Sequence, residues 1–332
     1  MGPPVAMSLS VERPQRGSRF LIEASLAPST VKKYKQAVSL FLEWCGVHGL
    51  AIDTLEQLDD HLTDYFHDVY VTGGGVGKGL ASATLYGVMK FLPRARGGLP
   101  TAEESLRGWM RLQEGKSYPP LTWDATVVMA LQMVRHGWLR HAVAILVAFD
   151  CLLRVGELVN LRKGDVADSG DRRLGSEYRG LALRLASTKT GPNQWVQVQD
   201  RQVQALLREV SGSCSKPTDR LFPFTAADFR DKFKIVRDEL GLSSLYVPHS
   251  LRHGGAPRCH LLGWSVEDIL LRGRWASVKS ARRYVQAGRA MLLTMDVPLA
   301  VSQVAKRIVP HIALAFEVAL SQLHTSVGGG DV

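Results

Sequence analysis

The stretch VPHSLRHGGAPRCHLLGWSVEDILLRGRWASVKSARRYVQ, residues 247–286, decides how the rest of the chain is read. It brings His249, Arg252, Trp275 and Tyr284 into one short segment: donors suited to an anionic oxygen, then a phenol. Its apolar spacing predicts helices near 249–262, 265–271 and 277–288. Two upstream residues, Arg154 and Lys189, complete a set whose chemistry is specific only when taken together.

Cutting a phosphodiester without a metal requires that charge on the non-bridging oxygens be held by fixed cations. Guanidiniums suit this, because they stay protonated and grip two oxygens through a planar fork. Arg154 and Arg252 are the candidates. Arg154 closes the apolar run AVAILVAFDCLLR (142–154), where an unpaired cation would be costly, and Glu157 is placed to support it. The nucleophile must also be a fair leaving group, which favours a phenol over an aliphatic alcohol. Tyr284, with Lys279, Arg282 and Arg283 close by in sequence, meets that need. Lys189 on a hairpin is the candidate general acid, and His249 a proton acceptor or phosphate donor. Trp275 supplies an indole N–H or a bracing ring. Taken singly, each has a plainer reading: surface arginine, solvated lysine, packed tyrosine.

The 332-residue chain is 45% apolar and 22% charged, as ordinary globular proteins are, but its net charge is +10. Such a surplus favours a polyanionic partner, double-stranded DNA first. The four cysteines (Cys45, Cys151, Cys214, Cys259) stand far apart in neither disulfide nor zinc spacing, so buried free thiols are expected. The N-terminus lacks signal-peptide layout, and the apolar run 142–149 is too short to span a bilayer. The expectation is an intracellular, DNA-associated protein (cytoplasm or nucleoid, or nucleus if eukaryotic) with no membrane partner.

The expected fold is mainly α with a small β-hairpin or sheet, in two domains. Residues 1–24, with Arg13, Arg16 and Arg19, form a flexible arm, either solvated or on DNA. Residues 25–113 form a helical bundle. Its first helix starts under a Ser29 or Thr30 cap and turns Val31, Tyr34, Val38, Phe41, Leu42 and Cys45 inward. Its fourth opens with a Thr101-x-x-Glu104 capping box and buries Leu106, Trp109 and Met110. Lys32, Lys33, Lys35, Lys90, Arg94 and Arg96 are candidate DNA contacts. TGGGVGKG (72–79) imitates a phosphate-binding loop but has Thr72 and Gly79 where Gly and Ser or Thr are required; it is read as a loop, with no nucleotide partner. Residues 114–122 are a linker. Beyond it come helices over Ala125–His136 and Trp138–Leu153. A β-hairpin turning at Gly191-Pro192-Asn193 follows, then helices near 200–210 and 225–240. Residues 123–300 form an α+β domain, and 301–332 a helical tail. The tail's stripe of Ile308, Ile312, Ala315, Phe316, Ala319 and Leu323, on a helix from Pro310 to Leu323, either packs in its own chain or docks on a neighbour.

The order Arg, Lys, His-x-x-Arg, Trp, Tyr resembles the catalytic domain of the tyrosine recombinases, the phage integrase family. LLRVGELVNLRKGDV resembles the segment of its first arginine, STKTG its hairpin lysine segment, and PHSLRH its His-x-x-Arg box. GRWASVKSARRY sets Trp275 ahead of Tyr284 as the family sets its last two catalytic residues. The resemblance covers roughly 121–290, and the N-terminal half matches the family's SAM-like core-binding domain in layout. It implies that Arg154, Lys189, His249, Arg252, Trp275 and Tyr284 are catalytic. It implies further a metal-free and cofactor-free transesterification through a 3′-phosphotyrosine, and a homotetramer on two DNA sites, with the 301–332 tail as one means of assembly. Three departures stand out: Leu152 where glycine is usual, Trp275 for the commoner histidine, and the insertion 168–180. Alternatives of the same chemistry and fold are type IB topoisomerase-like relaxation and a catalytically idle DNA-binding protein.

Overall fold

The computed structural model describes residues 25–113, 118–169, 179–188, 191–275 and 297–317, with single positions at 171, 177, 277, 278, 282, 285 and 288. The described chain falls into two compact units that part at the 114–117 segment.

The first unit is helical: α1 (Pro28–Val47), α2 (Leu55–Thr72), α3 (Lys78–Phe91) and α4 (Pro100–Leu112). They close on a core that includes Phe41, Cys45, Leu62, Phe66, Leu85, Leu106 and Trp109. The helix starts differ from expectation. α1 begins after Ala27 with Pro28 in its first turn, and neither Ser29 nor Thr30 caps it. α4 also begins on a proline, so Thr101 and Ala102 fall inside its first turn. Their N–H groups are accepted by the buried carboxylate of Asp59 on α2, at 3.0 and 2.8 Å, and the Thr101–Glu104 box does not form. A capping box that the sequence reading passed over, Thr54 with Gln57, starts α2. Met110 and Leu42 are exposed, outside the apolar faces assigned to them. The glycine loop 73–77 follows a helix, not a strand; the Trp109 indole donates to the Gly75 carbonyl at 3.0 Å, and Lys78 Nζ to Gln113 O at 2.7 Å.

The second unit starts with α5 (Trp123–Arg135) and α6 (Leu139–Asp150), then the single turn α7 (Val155–Leu158). β1 (Val166–Asp168), β2 (Leu181–Thr188) and β3 (Gly191–Val198) form an antiparallel sheet in that order. α8 (Arg201–Gly212), α9 (Ala226–Glu239), α10 (His249–Leu261), α11 (Val266–Gly273) and α12 (Leu299–Ile308) follow. Every residue of α6 except Arg140 is buried, which makes it the central helix around which the unit is built.

The hairpin lies where alternation predicts, but its turn does not. Gly191 pairs with Thr188 and Pro192 with Ser187, so Gly-Pro-Asn belongs to β3 and is not the turn. The misreading has a cause: Asn193 takes a left-handed conformation (φ 51°) inside the strand, and its turn-like composition serves that local kink. β1, three residues long, is too short to show an alternation of its own. All four cysteines are buried thiols without a disulfide.

By length and composition the run Leu299–Glu317 is apolar enough to cross a membrane. Its Val301, Ala305, Ile312 and Phe316, however, are buried in the unit's own core, with Ile308 and Ala315 packed against it. Of the two readings of the tail stripe, the described residues adopt packing within the chain. Ala319 and Leu323 lie outside them.

Candidate active site

The α6–α7 connection is a tight turn. Leu152 adopts φ 52°, a left-handed conformation that costs a non-glycine residue roughly 1–2 kcal/mol. The leucine at this departure position thus takes the backbone geometry that favours glycine, held by a fully buried side chain packed with Ala256, Cys259, Ile269 and Trp275. The turn sends Arg154 to the N-terminus of α7, where Glu157 closes on it. Arg154 N donates to Glu157 Oε2 at 2.9 Å and Arg154 Nη1 to Oε1 at 2.6 Å. Glu157 is the buried member; Arg154 stays 27% exposed. Burial pushes the Glu157 carboxyl up, but Arg274, the Arg154 N–H groups and the Arg154 charge together hold it below the usual carboxylate range.

α10 carries the second pair. His249 opens the helix, and Arg252 follows on the same face. Arg252 is fully buried: Nη1 donates to Leu152 O, Nη2 to Gly273 O, and the guanidinium lies 4.5 Å from the Trp275 ring centroid. The packing demands glycine at two adjacent places. A Cβ on Gly254 would sit 1.7 Å from Leu121 O, and one on Gly255 2.3 Å from Leu152 Cδ2 and 2.6 Å from Phe149 O. Trp275 folds back over Gly273, where a Cβ would meet its ring at 1.8 Å.

His249 is half-buried. Burial, with Arg252 and Arg154 close by, pushes its imidazole below the ordinary histidine value, so it is neutral at neutral pH and able to accept a proton. Its ring meets that of His253 edge-on at 4.6 Å and that of Tyr118 at 6.3 Å. Arg154 and His249 face a cleft of about 620 Å³, with Arg230, Lys234 and Arg237 of α9 among its other walls. Arg237 is committed to Asp238 and to the Ser244 and Tyr246 carbonyls, while Arg230 and Lys234 are exposed. The cleft therefore presents several cations, one neutral imidazole and the Asp231 carboxylate, an excess of positive charge.

Of the predicted catalytic residues, Arg154, His249, Arg252 and Trp275 converge, with Glu157 bound to the first. Lys189 and Tyr284 lie outside the described residues, as do Lys279 and Arg283; Arg282 is exposed. Among the other candidate contacts, Lys32, Lys33, Lys35, Arg94 and Arg96 are exposed. Lys90 is half-buried, its ammonium on Ser25 Oγ at 2.6 Å. Among the described residues no group of His, Cys, Asp and Glu is arranged to hold a metal ion.

Sequence reasoning missed Arg272 and Arg274, both buried. Arg272 donates to Asp150 O and Gln197 O and pairs with the Asp150 carboxylate at 3.3 Å. Arg274 pairs with Glu157 at 2.9 Å. A signal was present: two arginines flank Gly273 in an apolar context, and the apolar run 142–158 holds just two acids, Asp150 and Glu157, to neutralise them.

The second unit, helical with a short antiparallel sheet, thus carries one arginine beside a strained turn and another on a helix one turn after a histidine. Residues 127–290 match the phage integrase family, the tyrosine recombinases. Among solved structures it is similar to a lambda integrase dimer bound to a COC′ core site: 15% identity, TM-score 0.54, covering 81% of this chain and 75% of that one. It is also similar to the Tn1549 transposon integrase in complex with transposon right end DNA: 10% identity, TM-score 0.55, covering 88% and 96%. At these identities the likeness is one of fold. No curated protein matches the chain.

Proposed function

We propose that the protein is a site-specific DNA recombinase that cuts and rejoins strands through Tyr284, without metal or cofactor. The observation that carries this reading is a cleft lined by Arg154 and His249, with the buried Arg252 charge close to His249, within the span that matches the family. Arg154, open to the cleft, holds the non-bridging oxygens of the scissile phosphate as negative charge builds on them, and Arg252, buried on the Leu152 and Gly273 carbonyls, adds its positive charge. Trp275 stacks on Arg252 and fixes its plane. His249, neutral beside two cations, accepts the phenolic proton as Tyr284 Oη attacks phosphorus. The P–O bond to the 5′ oxygen breaks, Lys189 supplies its proton, and a 3′-phosphotyrosine remains. A 5′-hydroxyl from a second duplex reverses the step, and the ester keeps the bond energy, so no nucleotide is consumed. The DNA bound to the similar lambda and Tn1549 integrases supports double-stranded DNA as the partner. Assembly as a tetramer on two sites is part of the proposal.

The test is a nicked suicide duplex carrying the target site, in which cleavage traps a covalent complex that migrates slowly under denaturing conditions. The complex forms in EDTA and is lost in Tyr284→Phe while duplex binding persists. Arg154→Ala and Arg252→Ala each slow its formation by about 100-fold or more, the cost of removing one charge-stabilising donor. Strict dependence of cleavage on Mg²⁺ overturns the mechanism.

A further inference from the structure

Arg274 lies outside both the Arg154 and Arg252 pair and the cleft wall, yet its guanidinium touches the supports of both arginines. Nη1 donates to Arg272 O at 2.8 Å and Cys151 O at 3.4 Å; Nη2 donates to Leu152 O and to Glu157 Oε2, each at 2.9 Å. Leu152 O is also the acceptor for Arg252, and Glu157 is also the acceptor for Arg154. Among the described non-glycine residues, left-handed φ occurs at Leu152, Asn193 and Arg274, so two strained positions are joined by one hydrogen bond. Strain of that kind persists only where surrounding contacts hold it.

We propose that Arg274 is a positioning residue for strand cleavage: it anchors Glu157 and the Leu152 carbonyl, and so releases Arg154 to the phosphate while fixing Arg252. The inference rests on the recombinase reading. Its physical core is charge balance. Glu157 is buried, with one oxygen on Arg154 Nη1 and the other shared by Arg154 N and Arg274. If Arg154 were its sole cation, turning that guanidinium to a phosphate would strand a buried carboxylate, which is costly. With Arg274 in place the carboxylate keeps a buried partner, 3% exposed, while the more open Arg154 changes hands. Arg274 thus acts through Arg154 and Arg252 and touches no reacting atom.

The test measures covalent-complex formation on the nicked duplex in single turnover at saturating DNA, with duplex affinity measured in parallel. Arg274→Gly suits the left-handed backbone and removes the guanidinium. It is expected to bind DNA within a few-fold of the parent and to form the complex about 100-fold more slowly, as for a misplaced catalytic group. Arg274→Lys recovers part of the rate. Glu157→Gln in the Arg274→Gly background also recovers part, because it removes the stranded charge. An unaltered rate in Arg274→Gly overturns the proposal. So does a loss that neither Arg274→Lys nor the added Glu157→Gln relieves, since that marks general damage to the fold. Should the glycine variant not fold, Arg274→Gln against Arg274→Lys makes the same comparison. A parent protein that forms no complex refutes the recombinase reading itself, whereas a parent that cleaves beside a fully active Arg274→Gly refutes this inference alone.

Discussion

Gly254→Ala tests how the site is held, through a single methyl group. α10 carries His249 and Arg252, and it reaches them by pressing its backbone against Leu121, whose N–H donates to Ser250 O at 3.0 Å. A Cβ at position 254 would lie 1.7 Å from Leu121 O and 3.0 Å from Phe149. Neither the carbonyl nor the ring, which is wedged against Trp123, is the loose end of a flexible side chain. Restoring ordinary contact requires the helix to retreat by roughly 1.5 Å, and overpacking of this kind costs about 1–3 kcal/mol or more. The same retreat moves Arg252 off Trp275 and Leu152 O, and misplacement by about 1 Å can cost about 100-fold in rate. Gly212→Ala is the control: exposed at the end of α8, with nothing within 4 Å and an ordinary φ, it is expected to be neutral or to stabilise by up to about 1 kcal/mol. Thermal melting and covalent-complex formation are measured on both variants. Gly254→Ala lowers the melting temperature by several degrees and suppresses cleavage. If it melts and cleaves as the parent does, the account of how α10 is seated is wrong.

Replacing Leu152 by Ala and by Gly separates backbone strain from packing. Both lose the buried side chain, at about 3–5 kcal/mol, but relief of the left-handed cost offsets glycine's usual deficit, so urea denaturation should place them within about 0.5 kcal/mol of each other. A glycine variant less stable than alanine by the full glycine deficit of about 1 kcal/mol contradicts the strained turn. His253 is pushed down to about 4 by burial and by His249, against a hydrogen bond to the Tyr118 backbone, with Arg252 adding to the depression. Because the unfolded chain takes up its proton near pH 6.5, stability is intact above that pH and falls as pH drops from 6.5 toward 4. His253→Gln flattens the fall in a melting series, and an unchanged slope rejects the assignment. Truncation before Leu299 uncovers the core face that Val301, Ala305, Ile312 and Phe316 fill, so it lowers the melting temperature of the dilute protein; a truncated chain as stable as the parent means the tail docks elsewhere.

Where side-chain chemistry and periodicity reinforce each other, the sequence was enough. The helix of His249 and Arg252, the hairpin, the apolar α6 and the Arg154–Glu157 pair all follow from short-range pattern. What escaped depends on long-range partners. Asp59 caps α4 from another helix, so the local Thr101–Glu104 pattern misleads. Gly-Pro-Asn reads as a turn because composition cannot distinguish a kink inside a strand from the end of one. Arg274 escaped because its role exists only once Glu157 and Leu152, more than a hundred residues earlier, fold beside it. Leu152 shows the opposite limit: a residue type that disfavours a conformation still adopts it when burial of its side chain outweighs the backbone cost.

The most direct test of the central claim is to identify the bond between protein and DNA. The complex trapped on a nicked duplex in EDTA is digested with protease and nuclease, and the nucleotide-bearing peptide is sequenced by mass spectrometry. The account predicts one modified peptide, with Tyr284 Oη esterified to a 3′ phosphate and the released strand ending in a 5′-hydroxyl. A nucleotide on any other residue, or a 5′-linked adduct, contradicts it.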